Sequence, residues 1–473
     1  MEKTDKDDQE NLKHIFRTSC IQGKYGEYIT PQIIYRIGQA FGTFLIEETE
    51  LRNRAVYVGY DFCKTSQILV DTLIAGILST GVNVEFSGEP VLLGIALFSA
   101  LQRKDYASAF ITASPLPPDW AGVKFYHMNG VGFSQEKYRE IRDIFFNGTF
   151  IQPNYSHVGQ SQNVCLKNDY KNYLISKFTF EKPIKVVIDC STNSSCKSIT
   201  QILEDVGLNV EKFFNESNTF FPNRSPETDQ HSLDLLAQEV RMEKADFGVS
   251  FDGDADRAII VDNIGRVLST DITGLVIADH YLNKKRTLER RIVASVDCSL
   301  ALEKILVPKK GIIDRIKVGQ THLVLNAIEN PDTLLGIERS GHMVFPDLFT
   351  FDDAIPIPLK LGQVLSEDTR SLNKIVDSLP TTHRLQHIEP CVDLIKFNVI
   401  DELIRECRSR FDDLNTVDGI RIKFGIESWV LIKASNTNPE IRITVEANSQ
   451  SEAERLMADF TSQVKDLIKN ISK

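Results

Sequence analysis

A chain of 473 residues, 42% hydrophobic and 25% charged, has an ordinary globular composition. That length leaves room for on the order of three domains, within a range of roughly one to four. A net charge of −11 with no long Lys/Arg run excludes a general nucleic-acid-binding surface. Eight irregularly spaced cysteines, none in a Cys-x-x-Cys pair, exclude a disulfide framework and a thiolate zinc site, so the thiols are expected to be reduced.

The N-terminus, Met1-Glu2-Lys3-Thr4-Asp5, is charged and lacks an apolar signal core. The longest apolar run, 91–101, is too short to span a bilayer and reads as buried helix or strand. A cytoplasmic protein without a membrane partner is expected. Apolar and β-branched runs predict strands over 56–59, 82–86 and 110–112, with a helix over 66–80 between the first two. The polar stretch 152–168 reads as a linker. A strand over 185–189 and a helix over 198–206 restart the pattern. Further boundaries are expected near 262–266 and 379–382. Beyond the last come a helix (399–411), strands (419–424, 428–433 and 441–447) and a final helix (451–471), a smaller α+β domain. Such alternation is an α/β signature, and open α/β sheets bind ligands at the loops after their strands.

The densest chemistry lies in Asp252-Gly253-Asp254-Ala255-Asp256-Arg257, between the apolar flanks Val249, Phe251 and Ala258-Ile259-Ile260-Val261. That pattern reads as strand, tight loop, strand. Carboxylates at every second position repel one another unless a cation neutralises them, and hard oxygen ligands favour Mg²⁺, Mn²⁺ or Ca²⁺. A helix–loop–helix calcium site would need Glu six residues after its glycine, where this chain has Ile259. The bland alternative is a solvated acidic turn; the loop is expected near the surface of a cleft.

Three other motifs accompany it. Thr112-Ala113-Ser114 places hydroxyl groups at a strand end, with Lys124 ten residues on; a structural loop serine and a surface lysine on an edge strand are the bland readings. Gly336-Ile337-Glu338-Arg339-Ser340-Gly341-His342 groups a carboxylate, a hydroxyl and an imidazole suited to a polyol; a polar turn is the alternative. Lys433-Ala434-Ser435-Asn436-Thr437-Asn438-Pro439, followed by Arg442, sets hydroxyl and amide groups between two cations and suits a phosphate dianion, or else is a Ser/Asn-rich turn.

The order of these motifs resembles the α-D-phosphohexomutase superfamily, which includes phosphoglucomutases and phosphomannomutases. The resemblance runs from Phe16 to the C-terminal helix and includes Lys24-Tyr25-Gly26 and Ile29-Thr30-Pro31. It implies a four-domain architecture, three α/β domains with mixed sheets plus a C-terminal α+β domain around a central cleft. The expected bounds are 1–155, 165–265, 266–380 and 381–473. It also implies an isomerase of carbohydrate metabolism that interconverts hexose 1-phosphate and hexose 6-phosphate, glucose and/or mannose. Ser114 would carry the phosphoryl group, and one Mg²⁺ would be bound by Ser114, Asp252, Asp254 and Asp256. Lys124 and Arg257 would offset developing charge, since phosphoryl transfer asks mainly for positioning and neutralisation. Glu338, Ser340 and His342 would contact the sugar; Lys433, Ser435, Asn436, Thr437 and Arg442 would hold the non-reacting phosphate. A hexose 1,6-bisphosphate would be intermediate and activator, and the chain a monomer or homodimer.

Several residues depart from the family pattern. Ser114-Pro115-Leu116-Pro117 stands where Ser-His-Asn-Pro is usual, Gln22 where an Arg is usual, and Ala121 where an Asn is usual. A second reading therefore stands beside the first: a catalytically impaired or inactive paralogue that binds sugar phosphates in a regulatory or structural role.

Overall fold

The computed structural model describes residues 12–48, 55–190, 195–213, 233–284, 289–435 and 438–472. Four sheets lie in two compact units. The first unit comprises Met1–Leu268 and Gly341–Leu372; the second comprises Ser269–Ser340 and Asn373–Lys473.

The first sheet takes β1 (Ile21–Lys24), β2 (Ala55–Tyr60), β3 (Asn83–Phe86), β4 (Ala107–Ile111), β5 (Trp120–His127) and β6 (Ser161–Asn163), in spatial order β1-β5-β4-β2-β3-β6. β5 runs antiparallel to both β1 and β4, while β2 is parallel to β3 and β4. The stretch read as a linker is therefore partly ordered sheet, because β6 pairs in parallel with β3. Parallel strands buried on both faces read as near-continuous apolar runs, which is why β2 and β4 were visible as short β-branched or aromatic segments. The apolar run at 91–101 is the helix Leu93–Arg103, buried along most of its length. Helices Pro31–Glu48 and Ser66–Leu78 pack against each other at Gly38 and Gly76. A Cβ on Gly76 would lie 2.2 Å from the Tyr35 carbonyl oxygen, so the crossing needs glycine there.

One acid in this unit has a measurable consequence. Asp105, just beyond the helix Leu93–Arg103, is buried with its Oδ2 unbonded, and burial followed by repulsion from Glu85 pushes its carboxyl up to about 7. An acid whose pKa is raised by folding is most favourable below its unfolded pKa, and the folded state loses stability as pH rises toward the folded value. Asp105→Asn is therefore expected to raise the thermal midpoint at pH 8, by about 2 kcal/mol of stability, and to change little at pH 4. Melting curves at the two pH values check the difference.

The second sheet joins β7 (Lys185–Asp189), β8 (Asn209–Phe213), β9 (Phe247–Phe251), β10 (Ala258–Asp262) and β11 (Val267–Leu268), in order β11-β10-β9-β7-β8. β7 is parallel to β8 and β9, and β10 closes antiparallel hairpins with β9 and β11. The expected boundary at 262–266 is the turn of the β10–β11 hairpin. Cys190, just after β7, and Cys196, which opens the helix Cys196–Val206, lie with their Cα atoms 5.1 Å apart.

In the second unit β12 (Arg291–Ser295), β13 (Ile312–Ile316) and β14 (Thr333–Ile337) form a parallel set in order β13-β12-β14. The chain then passes through β15 (Met343–Val344) and the helix Pro356–Glu367, both in the first unit. The last sheet is antiparallel: β16 (His383–Pro390), β17 (Leu414–Asn415), β18 (Ile420–Phe424), β19 (Ser428–Ala434) and β20 (Glu440–Ala447), in order β16-β20-β19-β18-β17. Helices Lys396–Arg408 and Gln450–Ile471 pack their apolar stripes, Val399, Leu403, Leu456 and Val464 among them, on this sheet. The architecture is thus the expected four-domain α/β one with a C-terminal α+β domain. Among the described residues no helix is long and apolar enough to cross a membrane.

Candidate active site

The loop 252–257 joins β9 to β10, whose register pairs Phe251 with Ala258. Apolar alternation on these strands fixes the hairpin, and the loop between must turn within six residues. Ala255 takes φ 61°, a left-handed conformation that costs a non-glycine residue about 1 kcal/mol or more. Its N–H donates to the Asp252 carbonyl, and its own carbonyl accepts the Ala354 N–H. Gly341 lies against the same loop. With φ +121° and a notional Cβ 2.8 Å from Arg257 Cβ, it leaves no room for a side chain.

The expected cleft-surface loop is corrected: Asp252, Asp254 and Asp256 are 2%, 1% and 1% exposed. They lie under the end of the first sheet, where Thr112 and Ser114 follow β4. Ser114 Oγ donates to Asp252 Oδ2 (3.2 Å) and accepts the Gly253 N–H (3.0 Å). Thr112 Oγ1 donates to Asp254 Oδ2 (3.1 Å) and accepts the Ser114 N–H (3.1 Å).

Lys124 is not on an edge. β5 lies between β1 and β4, and Val123 and Phe125 enter the apolar core while Lys124, between them, takes the opposite face. Its Nζ reaches Asp254 Oδ2 at 2.9 Å and Asp256 Oδ2 at 3.0 Å. Arg257 Nε lies 3.1 Å from Asp252 Oδ2. His342 Nδ1 pairs with Asp352 Oδ2, and the ligand atoms of Asp256, His342 and Asp352 all lie within 4.8 Å of one another. His342, expected beside the sugar-binding residues, therefore stands against the aspartate cluster in the first unit.

Burial, then repulsion from Asp256, pushes the Asp252 carboxyl up to about 8, and the same causes raise Asp254. Burial acts against ionisation of Asp256 too, but Lys124, His342 and Arg257 together hold it below the usual carboxylate range. Burial likewise works against the charge on Lys124, and Asp254 and Asp256 overcome it, holding the amine well above its ordinary value. The centre is a dense, water-poor array of three acids against two or three cations, in which Coulomb terms are large.

In the second unit Glu338 and Ser340 follow β14. Ser340 Oγ donates to Glu338 Oε1 at 2.6 Å, and the Gly319 N–H donates to Glu338 Oε2 at 2.8 Å. The neighbouring Val318 N–H donates to Asp418 Oδ2, which also accepts Lys433 Nζ at 2.7 Å. One turn at 318–319 thus ties the polyol loop to the phosphate loop. Within the latter, Ser435 Oγ accepts the Asn438 N–H at 3.1 Å. Arg442 Nε reaches Glu440 at 2.7 Å, and the buried Lys396 Nζ donates to the Asn438 carbonyl at 3.0 Å. Asn436 and Thr437 lie outside the described residues.

Known proteins share this layout. Family models described as phosphoglucomutase/phosphomannomutase alpha/beta/alpha domains I, II and III match residues 13–152, 168–265 and 269–383, and the model of the C-terminal domain matches 394–463. A probable phosphoglucosamine mutase of Methanothermobacter thermautotrophicus is 30% identical over 448 residues, covering 94% of this chain and 96% of that protein. The chain belongs to the phosphoglucomutase/phosphomannomutase family. It is a phosphohexomutase, an isomerase. A phosphoglucomutase/phosphomannomutase of Thermococcus kodakarensis is also 30% identical, over 93% of this chain and 96% of its own. The phosphoglucosamine mutase of Methanocaldococcus jannaschii is 29% identical over 97% and 99%. A solved family structure from Burkholderia thailandensis superposes with a TM-score of 0.86 at 22% identity, over 96% of this chain and 97% of that one, and so shares the fold.

The aspartates of this phosphohexomutase suit a divalent ion. One oxygen from each of Asp252, Asp254 and Asp256 falls within 4.8 Å of the others, and Asp254 Oδ1 is buried without a hydrogen bond. A buried carboxylate oxygen with no donor is costly unless a cation fills that place. Residues that sequence reasoning did not single out complete the arrangement: the Gly253 N–H, Asp352 beside His342, and Asp418 beside Lys433. Asp352-Asp353, placed between the apolar Phe351 and Ala354-Ile355, was the available signal for the second of these. The first and third depend on contacts distant in sequence.

Proposed function

We propose that this phosphohexomutase interconverts hexose 1-phosphate and hexose 6-phosphate through a phosphorylated Ser114. The carrying observation is the buried hydroxyl of Ser114, held between the Asp252 carboxylate and the Gly253 N–H on the acidic loop. In this reading Asp252 accepts the hydroxyl proton as Oγ attacks a phosphoryl group, and the Gly253 N–H fixes the direction of Oγ. Lys124 and Arg257 offset charge at the transferring group. Mg²⁺ held by Asp252, Asp254, Asp256 and Ser114 would supply further neutralisation when bound. Glu338 and Ser340 hold sugar hydroxyls, and Lys433, Ser435 and Arg442, with Asn436 and Thr437, grip the distal phosphate. His342, whose Nδ1 pairs with Asp352, is assigned a contact to the sugar. A hexose 1,6-bisphosphate serves as intermediate and activator. Because relatives are named phosphoglucosamine mutase, we take glucosamine phosphate as the first substrate to test, ahead of glucose and mannose phosphates.

A coupled assay with the 1-phosphates of glucosamine, glucose and mannose, with Mg²⁺ and with chelator, tests the reading. The expected result is turnover of at least one sugar that chelation removes. Absence of turnover on all three, with retained sugar-phosphate binding by calorimetry, would favour the inactive paralogue.

A further inference from the structure

Arg339 sits between the two residues proposed to hold the sugar, and its side chain is committed elsewhere. Its Nη1 donates to both carboxylate oxygens of Asp271, at 3.1 and 2.9 Å. Asp271 is fully buried in the first turn of the helix Thr270–Asn283, where a carboxylate is favoured by the helix dipole. It also accepts the Ser299 N–H at 2.8 Å and the Ser269 hydroxyl. Ser299 Oγ in turn donates to Glu446 of β20 at 2.7 Å. The loop that bears Glu338 is thus pinned by its own middle residue to a rigid hydrogen-bonded junction. A single guanidinium nitrogen thus spans both oxygens of a buried carboxylate, a charge-assisted contact stronger than a neutral hydrogen bond.

We propose that Arg339 is a positioning residue for substrate selection: its clamp on Asp271 sets where Glu338 and Ser340 meet the sugar. The inference rests on the hexose-phosphate reading above. With the clamp in place, Glu338 has one oxygen on Ser340 Oγ and the other on the Gly319 N–H, so its carboxylate plane is fixed toward one face. Without it, the loop after β14 keeps its ends but loses its middle anchor, and Glu338 loses a single orientation. A carboxylate held in one orientation separates an amine from a hydroxyl on the sugar better than a mobile one does.

The test is a double-mutant cycle on Arg339→Gln and Glu338→Gln, assayed with glucosamine 1-phosphate and glucose 1-phosphate. Arg339→Gln is expected to raise KM more than it lowers kcat, and to shift the kcat/KM ratio between the two sugars by about fivefold or more. In the Glu338→Gln background the same change is expected to shift that ratio by less than about twofold, because Arg339 acts through Glu338. Arg339→Lys, which keeps the charge on a shorter side chain, should fall between wild type and Arg339→Gln, and it carries the test if the Gln variant melts early. A general loss of stability lowers kcat/KM for both sugars alike and leaves the ratio unmoved, which would overturn the proposal. So would equal shifts in both backgrounds. If wild type converts neither of these sugars nor mannose 1-phosphate, the mutase reading fails and the same cycle is read on calorimetric dissociation constants. A wild type that neither converts nor binds sugar phosphate overturns both.

Discussion

Ser114→Ala is expected to lower turnover of every hexose phosphate by at least about 10⁴-fold while leaving the fold in place, as loss of a covalent nucleophile does elsewhere. The side chain is small and already packed, so its removal leaves a void of one oxygen. Its hydrogen bonds to Asp252 and Gly253 are each worth about 1 kcal/mol net. Thr112 still receives the backbone N–H of residue 114, which keeps the turn after β4. The contrast between a large kinetic loss and a small shift in melting temperature is therefore the signature. A second readout removes ambiguity. Wild-type protein incubated with glucose 1,6-bisphosphate should gain the mass of one phosphoryl group, mapped to Ser114, and the variant should not. Substantial residual turnover in Ser114→Ala, or a phosphoryl group mapped to another residue, would sink the phosphoserine route.

The acidic loop was legible because three local signals agreed: period-two apolar flanks, a tight spacer of Gly and Ala, and carboxylates too close to be left unneutralised. β7, β19 and the final helix were readable to within a few residues from their own apolar patterns. What stayed hidden depends on pairs far apart in the chain. Nothing near Lys124 reveals that β1 will pair outside β5 and turn an apparent edge lysine into a buried one. Thr112 and Asp254 are 142 residues apart, and their hydrogen bond exists only because the ends of two sheets converge within the first unit. Nothing beside Arg339 in the sequence reveals what its side chain grips; Asp271 lies 68 residues earlier. The 152–168 stretch failed for a different reason. Its strand is three polar, exposed residues, so pairing with β3 rests on backbone hydrogen bonds and the polar Gln162–Glu85 contact (2.8 Å) and leaves no hydrophobic trace.

Lys124→Met is expected to cost about 3–5 kcal/mol in metal-free protein, the range seen when one partner of a buried ion pair is removed. Methionine matches the stem of lysine in volume and leaves no large cavity, so the loss reports charge. Asp254 Oδ2 would keep only Thr112 as a donor, and Asp256 would keep His342 and Arg257 as its nearby cations. Three carboxylates would then share less positive charge within a fully buried space, and part of the penalty would be relieved by proton uptake. A divalent ion relieves it differently, by binding the folded state alone; saturation at 100 times the dissociation constant restores about 2.7 kcal/mol. The first thermal transition of Lys124→Met should therefore drop in chelator and recover with millimolar Mg²⁺ by more than the wild-type transition does. Turnover should remain about 10²–10³-fold low even with the metal restored, since the ion cannot replace a cation aimed at the transferring group. An equal Mg²⁺ response in both proteins would mean that Lys124 and the ion do not answer to the same carboxylates. Full recovery of turnover by Mg²⁺ would mean that Lys124 only balances charge in the folded protein and takes no part in the transfer.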